Sequence, residues 1–228
     1  MNNSSVPRSV GIILDGNRRW AKARNLPTLE GHRRGAEKLK ELISWSNEAG
    51  IGELILYAFS TENWNRAPEE VAYLMDLFVE FFGTWKDEAK KQKVRIRFIG
   101  ERGRFSPKVQ EVMTLAEEET KDGTSGILTF ALSYGGRAEI LDAVNTLLAK
   151  DREQVTEEEL RGAMWSAGLS DPDIIIRTGG EKRLSNFLTW QSVYSELFFI
   201  DTQLPDFSKE EFNAILAEYA ERERRHGK

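Results

Sequence analysis

The 228-residue sequence predicts an α/β fold, in which a single domain over residues 1–228 has a central, mainly parallel six-stranded sheet flanked by helices. Short apolar runs alternate along the chain with longer segments of helical periodicity. Alternating strands and helices are typical of parallel sheets that are covered on both faces. No repeat, linker or low-complexity segment divides the chain, and one domain accommodates this length.

Six apolar runs are predicted to be strands buried on both faces, because their apolar character is too continuous for strands with one solvent-exposed face. They are Val10–Leu14, Glu53–Phe59, Val94–Ile99, Ile127–Leu132, Asp173–Ile176 and Leu197–Ile200. In such sheets, ligands bind beyond the carboxyl ends of the strands. We therefore expect the functional side chains to follow the strands directly.

Helical periodicity predicts two long helices, from about Gly35 to Glu48 and from about Pro68 to Lys91, each with apolar residues on one side. Two later helices are predicted from capping boxes, in which a hydroxyl residue precedes a glutamate by three positions. These boxes are Thr156-x-x-Glu159 and Ser208-x-x-Glu211.

Composition excludes several classes of protein. The chain has no cysteine, which rules out disulfides and thiolate metal sites, and its two histidines are too few for a histidine-rich zinc site. The net charge of −5 argues against a nucleic-acid binder, so no nucleic-acid partner is expected. The first six residues lack a signal-peptide pattern, and no apolar run approaches the roughly 18 residues of a membrane span. A cytoplasmic location is therefore expected.

A polar segment, Asp15-Gly16-Asn17-Arg18-Arg19-Trp20, follows the first predicted strand. Asp15 could ligate Mg²⁺, while the backbone N–H groups of Gly16 and Asn17 and an arginine could hold phosphate oxygens. An ordinary Asp-Asn turn is the alternative explanation of this segment taken alone.

Two more polar segments follow the second and fifth predicted strands. The first, Ser60 to Arg66, encloses a tryptophan and is predicted to position a substrate, although a capped turn would also explain it. The second, Arg177 to Phe187, combines arginines, a glycine pair and a serine, which suits a diphosphate. Glu196 precedes the last strand and is interpreted either as a second carboxylate near the metal or as a helix-end residue. The charged C-terminal segment taken alone is typical of a frayed helix end.

Six segments occur in an order that carries a family resemblance. They are Asp15-Gly16-Asn17-Arg18-Arg19-Trp20-Ala21-Lys22, Gly31-His32, Ser60-Thr61-Glu62-Asn63-Trp64-Asn65-Arg66, Tyr134-Gly135-Gly136-Arg137, Arg177-Thr178-Gly179-Gly180-Glu181 and Arg183-Leu184-Ser185-Asn186-Phe187. Together they resemble the cis-prenyltransferase family from Val10 to Gly227. The absence of an Asp-Asp-x-x-Asp sequence separates the chain from trans-type prenyltransferases.

The resemblance implies a role for each matching position. Asp15 and Asn63 would act in catalysis, and Asp15 and Glu196 would hold Mg²⁺. The allylic diphosphate site would contain Gly16, Asn17, Arg18, Arg19, Trp20 and His32. The loop over the reacting ends would contain Ser60, Glu62, Trp64 and Arg66. The isopentenyl diphosphate site would contain Arg177, Arg183, Ser185, Arg225 and Gly227, the last two reaching across a homodimer interface.

The implied function is Mg²⁺-dependent addition of isopentenyl diphosphate units in cis to an allylic diphosphate such as farnesyl diphosphate, giving an undecaprenyl-type lipid carrier. The alternatives are a short-chain synthase and a non-catalytic subunit of a heterodimer, which would be expected to lack Asp15, Arg177 and Arg183. Peripheral contact with a membrane is compatible with a lipid product. Thr28 stands where many relatives have a basic residue, so the primer is not fixed by the sequence.

Two questions stay open at this level. The proton acceptor could be a diphosphate oxygen, Asp15, or Asn63 with a relayed water. Product length would depend on an apolar tunnel lined by the helix from Pro68 to Lys91. Three of its rings, Phe81, Phe82 and Trp85, are the candidates for setting the depth of that tunnel, although most could equally pack in the core.

Overall fold

A six-stranded sheet forms the centre of the protein in the computed structural model, which describes residues 6–150 and 154–222. The strands, in chain order, are β1 (Ser9–Ile13), β2 (Glu53–Ser60), β3 (Val94–Ile99), β4 (Gly126–Tyr134), β5 (Ile174–Arg177) and β6 (Glu196–Phe199). All the strand pairs of the described residues are parallel, in the order β3-β4-β2-β1-β5-β6. The predicted α/β fold is confirmed.

Helices cover the sheet between the strands. They are α1 (Asn17–Ala23), α2 (Thr28–Glu48), α3 (Pro68–Lys91), α4 (Pro107–Thr120), α5 (Gly136–Leu148), α6 (Glu157–Ala163) and α7 (Lys209–Glu221). Both predicted capping boxes form, at the starts of α6 and α7. Helix α3 has the predicted bounds. None of the described helices is long and apolar enough to cross a membrane.

Helix α2 begins at Thr28, seven residues before the predicted start at Gly35. The reason is the close approach of α1. A side chain at Gly35 would place its Cβ 2.6 Å from Oδ1 of Asn17, and one at Gly31 would overlap the Asn17 carbonyl. Glycines that usually weaken a helix are needed here to let two helices pack, so periodicity alone gave too late a start.

The two faces of the sheet bury apolar clusters of unequal size. Alternate residues of β1 point to opposite faces, so Val10 and Ile12 join the larger cluster under α2, α3, α4 and α7. Ile13 joins the smaller cluster with Tyr57 and Phe187 on the other face. Rings dominate the α3 side, where Phe82 and its neighbours pack on β3 and β4.

The register of the sheet aligns the carboxyl ends of its central strands. Ile13 of β1 pairs with Tyr57 of β2 and with Arg177 of β5. The segments that follow these three strands therefore emerge side by side at one edge of the sheet. This edge carries the candidate site.

Candidate active site

A cleft of about 760 Å³ opens at the carboxyl edge of the sheet. Its walls come from the segments after β1, β2 and β5 and from the amino-terminal halves of α2 and α3. Most of the predicted site residues line it, namely Asp15, Gly16, Asn17, Arg18, Arg19, His32, Ser60, Glu62, Asn63, Arg66, Arg177, Arg183 and Ser185. The expectation that these segments meet in space is confirmed.

Asp15 is held by three donors at the end of β1. Its Oδ2 accepts a hydrogen bond from Nη2 of Arg177 at 2.8 Å, and its Oδ1 lies 3.1 Å from Nη2 of Arg19. The N–H of Gly16 donates to Oδ1 at 2.6 Å. Burial raises the pKa of Asp15, but the hydrogen bond and charge of Arg177 outweigh it, so the pKa lies below its usual value. Asp15 is therefore a carboxylate at neutral pH.

Three guanidinium groups share two carboxylates at this end of the cleft. Arg19 contacts Asp15 and Glu181, Arg177 contacts Asp15, and Arg183 contacts Glu181. The excess positive charge favours an anion with several oxygens. Arg177 is only 4% exposed, and its Nε is buried without a hydrogen-bond partner among the described residues.

Ser185 is fixed beside this arginine cluster. Its hydroxyl accepts a hydrogen bond from Nη1 of Arg177 at 2.8 Å, and its carbonyl accepts one from the Tyr57 hydroxyl at 3.2 Å. Burial raises the pKa of Tyr57, so its hydroxyl stays protonated and can donate. Tyr57 could not be identified from the sequence, because it lies inside a strand that is predicted to belong to the core.

His32 lies in a second, buried ionic group across the cleft. Its Nε2 is 2.9 Å from Oε1 of Glu70, which also lies 3.1 Å from Nη1 of Arg66. Burial lowers the pKa of His32, which leaves the imidazole neutral near pH 7. Glu70 was missed because acidic residues in the first turn of a helix are common. Its i, i+4 spacing from Arg66 was the available signal.

The segment after β2 folds into a turn over Thr61–Asn65 that holds itself in place. Oδ1 of Asn63 accepts the backbone N–H of Ser60 at 3.0 Å, which closes a capping box. The indole of Trp64 donates to the Ser133 hydroxyl at 2.9 Å and packs 4.9 Å from the ring of Phe59. The turn is therefore anchored on the core side by its tryptophan.

Neither Trp20 nor Trp64 lines the cleft, and the prediction from the sequence that both contact a ligand stays a prediction. The indole of Trp20 is buried and donates to Asp206 at 2.7 Å. Both rings fix segments whose other side chains face the cleft. Their amphipathic nature suits an anchor as well as it suits a binding surface, so sequence alone could not distinguish these roles.

The structure also corrects the position predicted for Glu196. Glu196 pairs in register with Ile174, which pairs with Val10. It therefore lies at the amino edge of the sheet, roughly 16 Å along the strand direction from Asp15 at 3.3 Å per residue. Its carboxylate lies 2.5 Å from Nη1 of Arg222. Asp15 and Glu196 of one chain cannot hold the same ion.

The apolar end of the cleft is lined by Leu39 of α2 and by Leu74, Leu77 and Phe78 of α3. Phe81, which was predicted to limit a tunnel, is absent from this lining and stacks with Trp85 at 6.1 Å between ring centroids. The inward ring is therefore Phe78, one helical turn closer to the polar groups. The prediction for Phe81, Phe82 and Trp85 is wrong in this respect.

Arg225 and Gly227, which were predicted to complete the site across a dimer, lie outside the described residues.

Among the described residues, no group of three or more acidic or histidine side chains could enclose a metal ion. Asp15 lies in an arginine-rich anion site. Mg²⁺ is commonly bound by one or two carboxylates together with substrate phosphates, and it keeps several waters. The donor set thus fits an ion that arrives with a diphosphate, rather than one held by the protein alone.

Comparison with known proteins agrees with this geometry. Residues 13–227 match the model of the family described as "Putative undecaprenyl diphosphate synthase". An isoprenyl transferase of Thermotoga maritima is 47% identical over 97% of this chain and 97% of its own. One of Chromobacterium violaceum is 44% identical over 97% of this chain and 88% of its own.

Two solved structures share the fold over nearly the whole chain. Lavandulyl diphosphate synthase from Lavandula x intermedia, in complex with dimethylallyl diphosphate, superposes with a TM-score of 0.94 at 31% identity, covering 98% of this chain and 99% of that one. A "probable undecaprenyl diphosphate synthase" from Campylobacter jejuni gives a TM-score of 0.82 at 34% identity, covering 97% and 99%.

Proposed function

The chain belongs to the undecaprenyl diphosphate synthase family of isoprenyl transferases, and we propose that it adds isopentenyl diphosphate units in cis to an allylic diphosphate such as farnesyl diphosphate. One observation carries the proposal. The same cleft has an arginine-rich end that contains Asp15 and an apolar end lined by leucines and Phe78. Such a cleft is complementary to molecules that have a diphosphate head and a hydrocarbon tail.

The arginine cluster supports binding of two diphosphates close together. Arg177, Arg183 and Ser185 stand on one side and would hold isopentenyl diphosphate. The backbone N–H groups at the start of α1, with Arg18 and Arg19, stand on the other side and would hold the allylic diphosphate. Holding both reactants in one orientation lowers the entropic part of the barrier.

Asp15 would hold Mg²⁺ together with oxygens of the bound diphosphate. The bound ion would supply Lewis-acid stabilisation of negative charge. Arg19 and Arg177 already contact Asp15. Arg19, on the allylic side of Asp15, is therefore placed to stabilise the charge of the departing diphosphate, whereas Arg177 would bind isopentenyl diphosphate beside it.

The reaction breaks the C–O bond of the allylic diphosphate and forms a C–C bond from the alkene of isopentenyl diphosphate. A proton then leaves the joined chain. Asn63 Oδ1 already accepts the N–H of Ser60, and both oxygens of Asp15 are occupied by donors. These contacts favour an oxygen of the departing diphosphate as the proton acceptor.

A homodimer would bring the amino edge of one chain toward another copy. Large apolar side chains are exposed on α5 and near β6, including Leu141 at 62%, Leu148 at 58% and Val193 at 71%. Exposed apolar patches of this kind are typical of interfaces. Glu196 could approach an Asp15 only if the two belong to different copies. On this basis we propose a homodimer, in which Arg225 of one copy would act in the site of the other. We also propose a cytoplasmic location and peripheral contact with a membrane.

Product length separates two forms of the proposal. Undecaprenyl-type products are suggested by the family, whereas a short-chain product would be expected if the ring of Phe78, which lines the apolar end of the cleft, stops the growing hydrocarbon. Mass analysis of the products made from primers of several lengths distinguishes them. A preparation that binds substrates and forms no product would instead indicate a non-catalytic subunit of a heterodimer.

The activity itself is tested by incubating the purified chain with labelled isopentenyl diphosphate, farnesyl diphosphate and Mg²⁺. We expect labelled product that organic solvent extracts, and loss of that product with a chelator. Asp15→Asn should lower turnover by about 10²-fold or more. Asp171→Asn is the matched control, because Asp171 also pairs with an arginine, Arg161, and lies on the surface. Equal turnover in the two variants would refute the role of Asp15.

A further inference from the structure

Asn186 occupies a strained stretch of backbone beside the arginine cluster. Its φ is 67°, and Ser185 and Leu188 have φ values of 49° and 43°. Residues other than glycine rarely adopt this left-handed conformation, which persists where surrounding contacts enforce it. The strain indicates that this segment is held by specific contacts.

Both polar atoms of the Asn186 side chain are used. Oδ1 accepts the backbone N–H of Arg137, at the start of α5, at 2.9 Å. Nδ2 donates to Oε1 of Glu62, in the turn after β2, at 3.2 Å. The Asn186 carbonyl also accepts the N–H of Gly136 at 2.7 Å. One side chain thus joins three separate segments of the chain.

Gly135 leaves the space for this connection. A Cβ at position 135 would lie 2.6 Å from Nδ2 of Asn186 and 2.8 Å from the Thr61 hydroxyl. The amide therefore reaches Glu62 through a gap that only glycine provides. The two residues in contact belong to two walls of the cleft that separate segments build, one carrying Ser185 and the other carrying Ser60 and Asn63.

We propose that Asn186 is a positioning residue that couples the two walls of the cleft. Its amide fixes the Thr61–Asn65 turn relative to the segment from Arg177 to Ser185. The coupling would position the turn, which carries Asn63, over the reacting ends of the two substrates, and to that extent the proposal rests on the proposed function. The contrasting explanation is that asparagine serves only as a residue tolerant of a left-handed turn.

Three substitutions separate these explanations. Asn186→Gly keeps the left-handed backbone and removes the amide. Asn186→Asp keeps an acceptor for Arg137 and places a carboxylate against Glu62. Adding Glu62→Gln to Asn186→Asp restores the contact with its direction reversed, because the new amide can donate to the new carboxylate. Glu62→Gln alone keeps an acceptor for Asn186.

The first readout is amide hydrogen exchange in residues 61–65, which requires no activity. We expect exchange to accelerate about 5- to 10-fold in Asn186→Gly and Asn186→Asp, the effect of one lost hydrogen bond, and to return toward the wild-type rate in the double variant. Thermal unfolding controls for general destabilisation. Exchange at the wild-type rate in both Asn186→Gly and Asn186→Asp would refute the coupling.

The second readout is steady-state kinetics with isopentenyl diphosphate and an allylic diphosphate. We expect kcat to fall by about 10-fold in Asn186→Asp, with partial recovery in the double variant, because misplacement of bound reactants affects the reacting geometry. Altered exchange with unchanged kcat would refute the positioning role. Altered exchange in an enzyme whose wild type forms no product would refute the proposed function and leave the coupling intact.

Discussion

The two ends of the cleft are built by different physical means. At the polar end, arginines and carboxylates hold one another in fixed geometry, with Asp15 and Arg177 paired at 2.8 Å. At the apolar end, side chains of α2 and α3, among them Leu39 and Phe78, form the wall. A charged site can therefore be recognised in a sequence, because it needs combinations of residues that are otherwise rare. An apolar site uses the same residues as the core, and its position depends on packing.

The largest effect is expected at the polar end. Arg177→Ala removes a nearly buried guanidinium that contacts both Asp15 and Ser185. We expect kcat/KM for isopentenyl diphosphate to fall by about 10²- to 10³-fold, as for loss of a buried charge-stabilising group. Steady-state kinetics measures the change.

Arg161→Ala is the matched control for this prediction. Arg161 forms an exposed pair with Asp171 at 2.6 Å, and exposed pairs contribute little to stability. Its kinetics should match the wild type. Equal losses in the two variants would mean that the arginine cluster does not bind the substrate.

The polar end could be predicted because Asp15, Ser60 and Arg177 lie at or just beyond the carboxyl ends of parallel strands, which must meet at one edge. Glu196 could not be assigned this way, because it precedes its strand and therefore lies at the opposite edge. Glu70 was missed because an acidic residue in the first turn of a helix is common, and because its contact with His32, 38 positions away, does not show in the sequence.

The apolar end was less predictable. Helical periodicity correctly placed Phe78, Phe81 and Trp85 on the buried side of α3, but that side meets both the cleft and the sheet. Which ring faces the cleft depends on how α3 packs against Phe98 and Phe130 of the sheet. A one-turn error followed from this ambiguity.

The next effect concerns product length, and it compares neighbouring rings of α3. Phe78→Ala opens volume at the apolar end of the cleft, which a hydrocarbon can fill, so longer products are expected. Phe81→Ala removes a ring that packs on Phe130. It should cost about 3–5 kcal/mol of stability and leave the product distribution nearly unchanged.

Mass analysis of products and chemical denaturation check the two halves of this prediction. The Phe81→Ala variant serves as the control for general loosening of the core. Longer products from Phe81→Ala, with none from Phe78→Ala, would restore the original assignment of the inner ring.

The smallest effect is the pH dependence contributed by His32. Burial lowers the pKa of His32 below its ordinary value of 6.5, so the unfolded chain binds the proton more readily than the folded one. The stability due to neutral His32 is complete above about pH 6.5 and declines as the pH falls toward the folded-state pKa.

His32→Gln provides the comparison, because its amide can still donate to Glu70 and does not titrate. Between about pH 7.5 and about pH 5.5, the wild type should lose more thermal stability than this variant. Melting temperatures measured across the range test the prediction. Parallel curves would show that His32 does not change its protonation on unfolding.

The most direct test of a cleft with two functional ends is a crystal structure with Mg²⁺, isopentenyl diphosphate and an unreactive allylic diphosphate analogue. We predict one diphosphate within hydrogen-bonding distance of Arg177 and Arg183, and the other at the start of α1. The allylic hydrocarbon should extend between α2 and α3 toward Phe78. Diphosphates bound away from the arginine cluster, or a hydrocarbon directed elsewhere, would contradict the account.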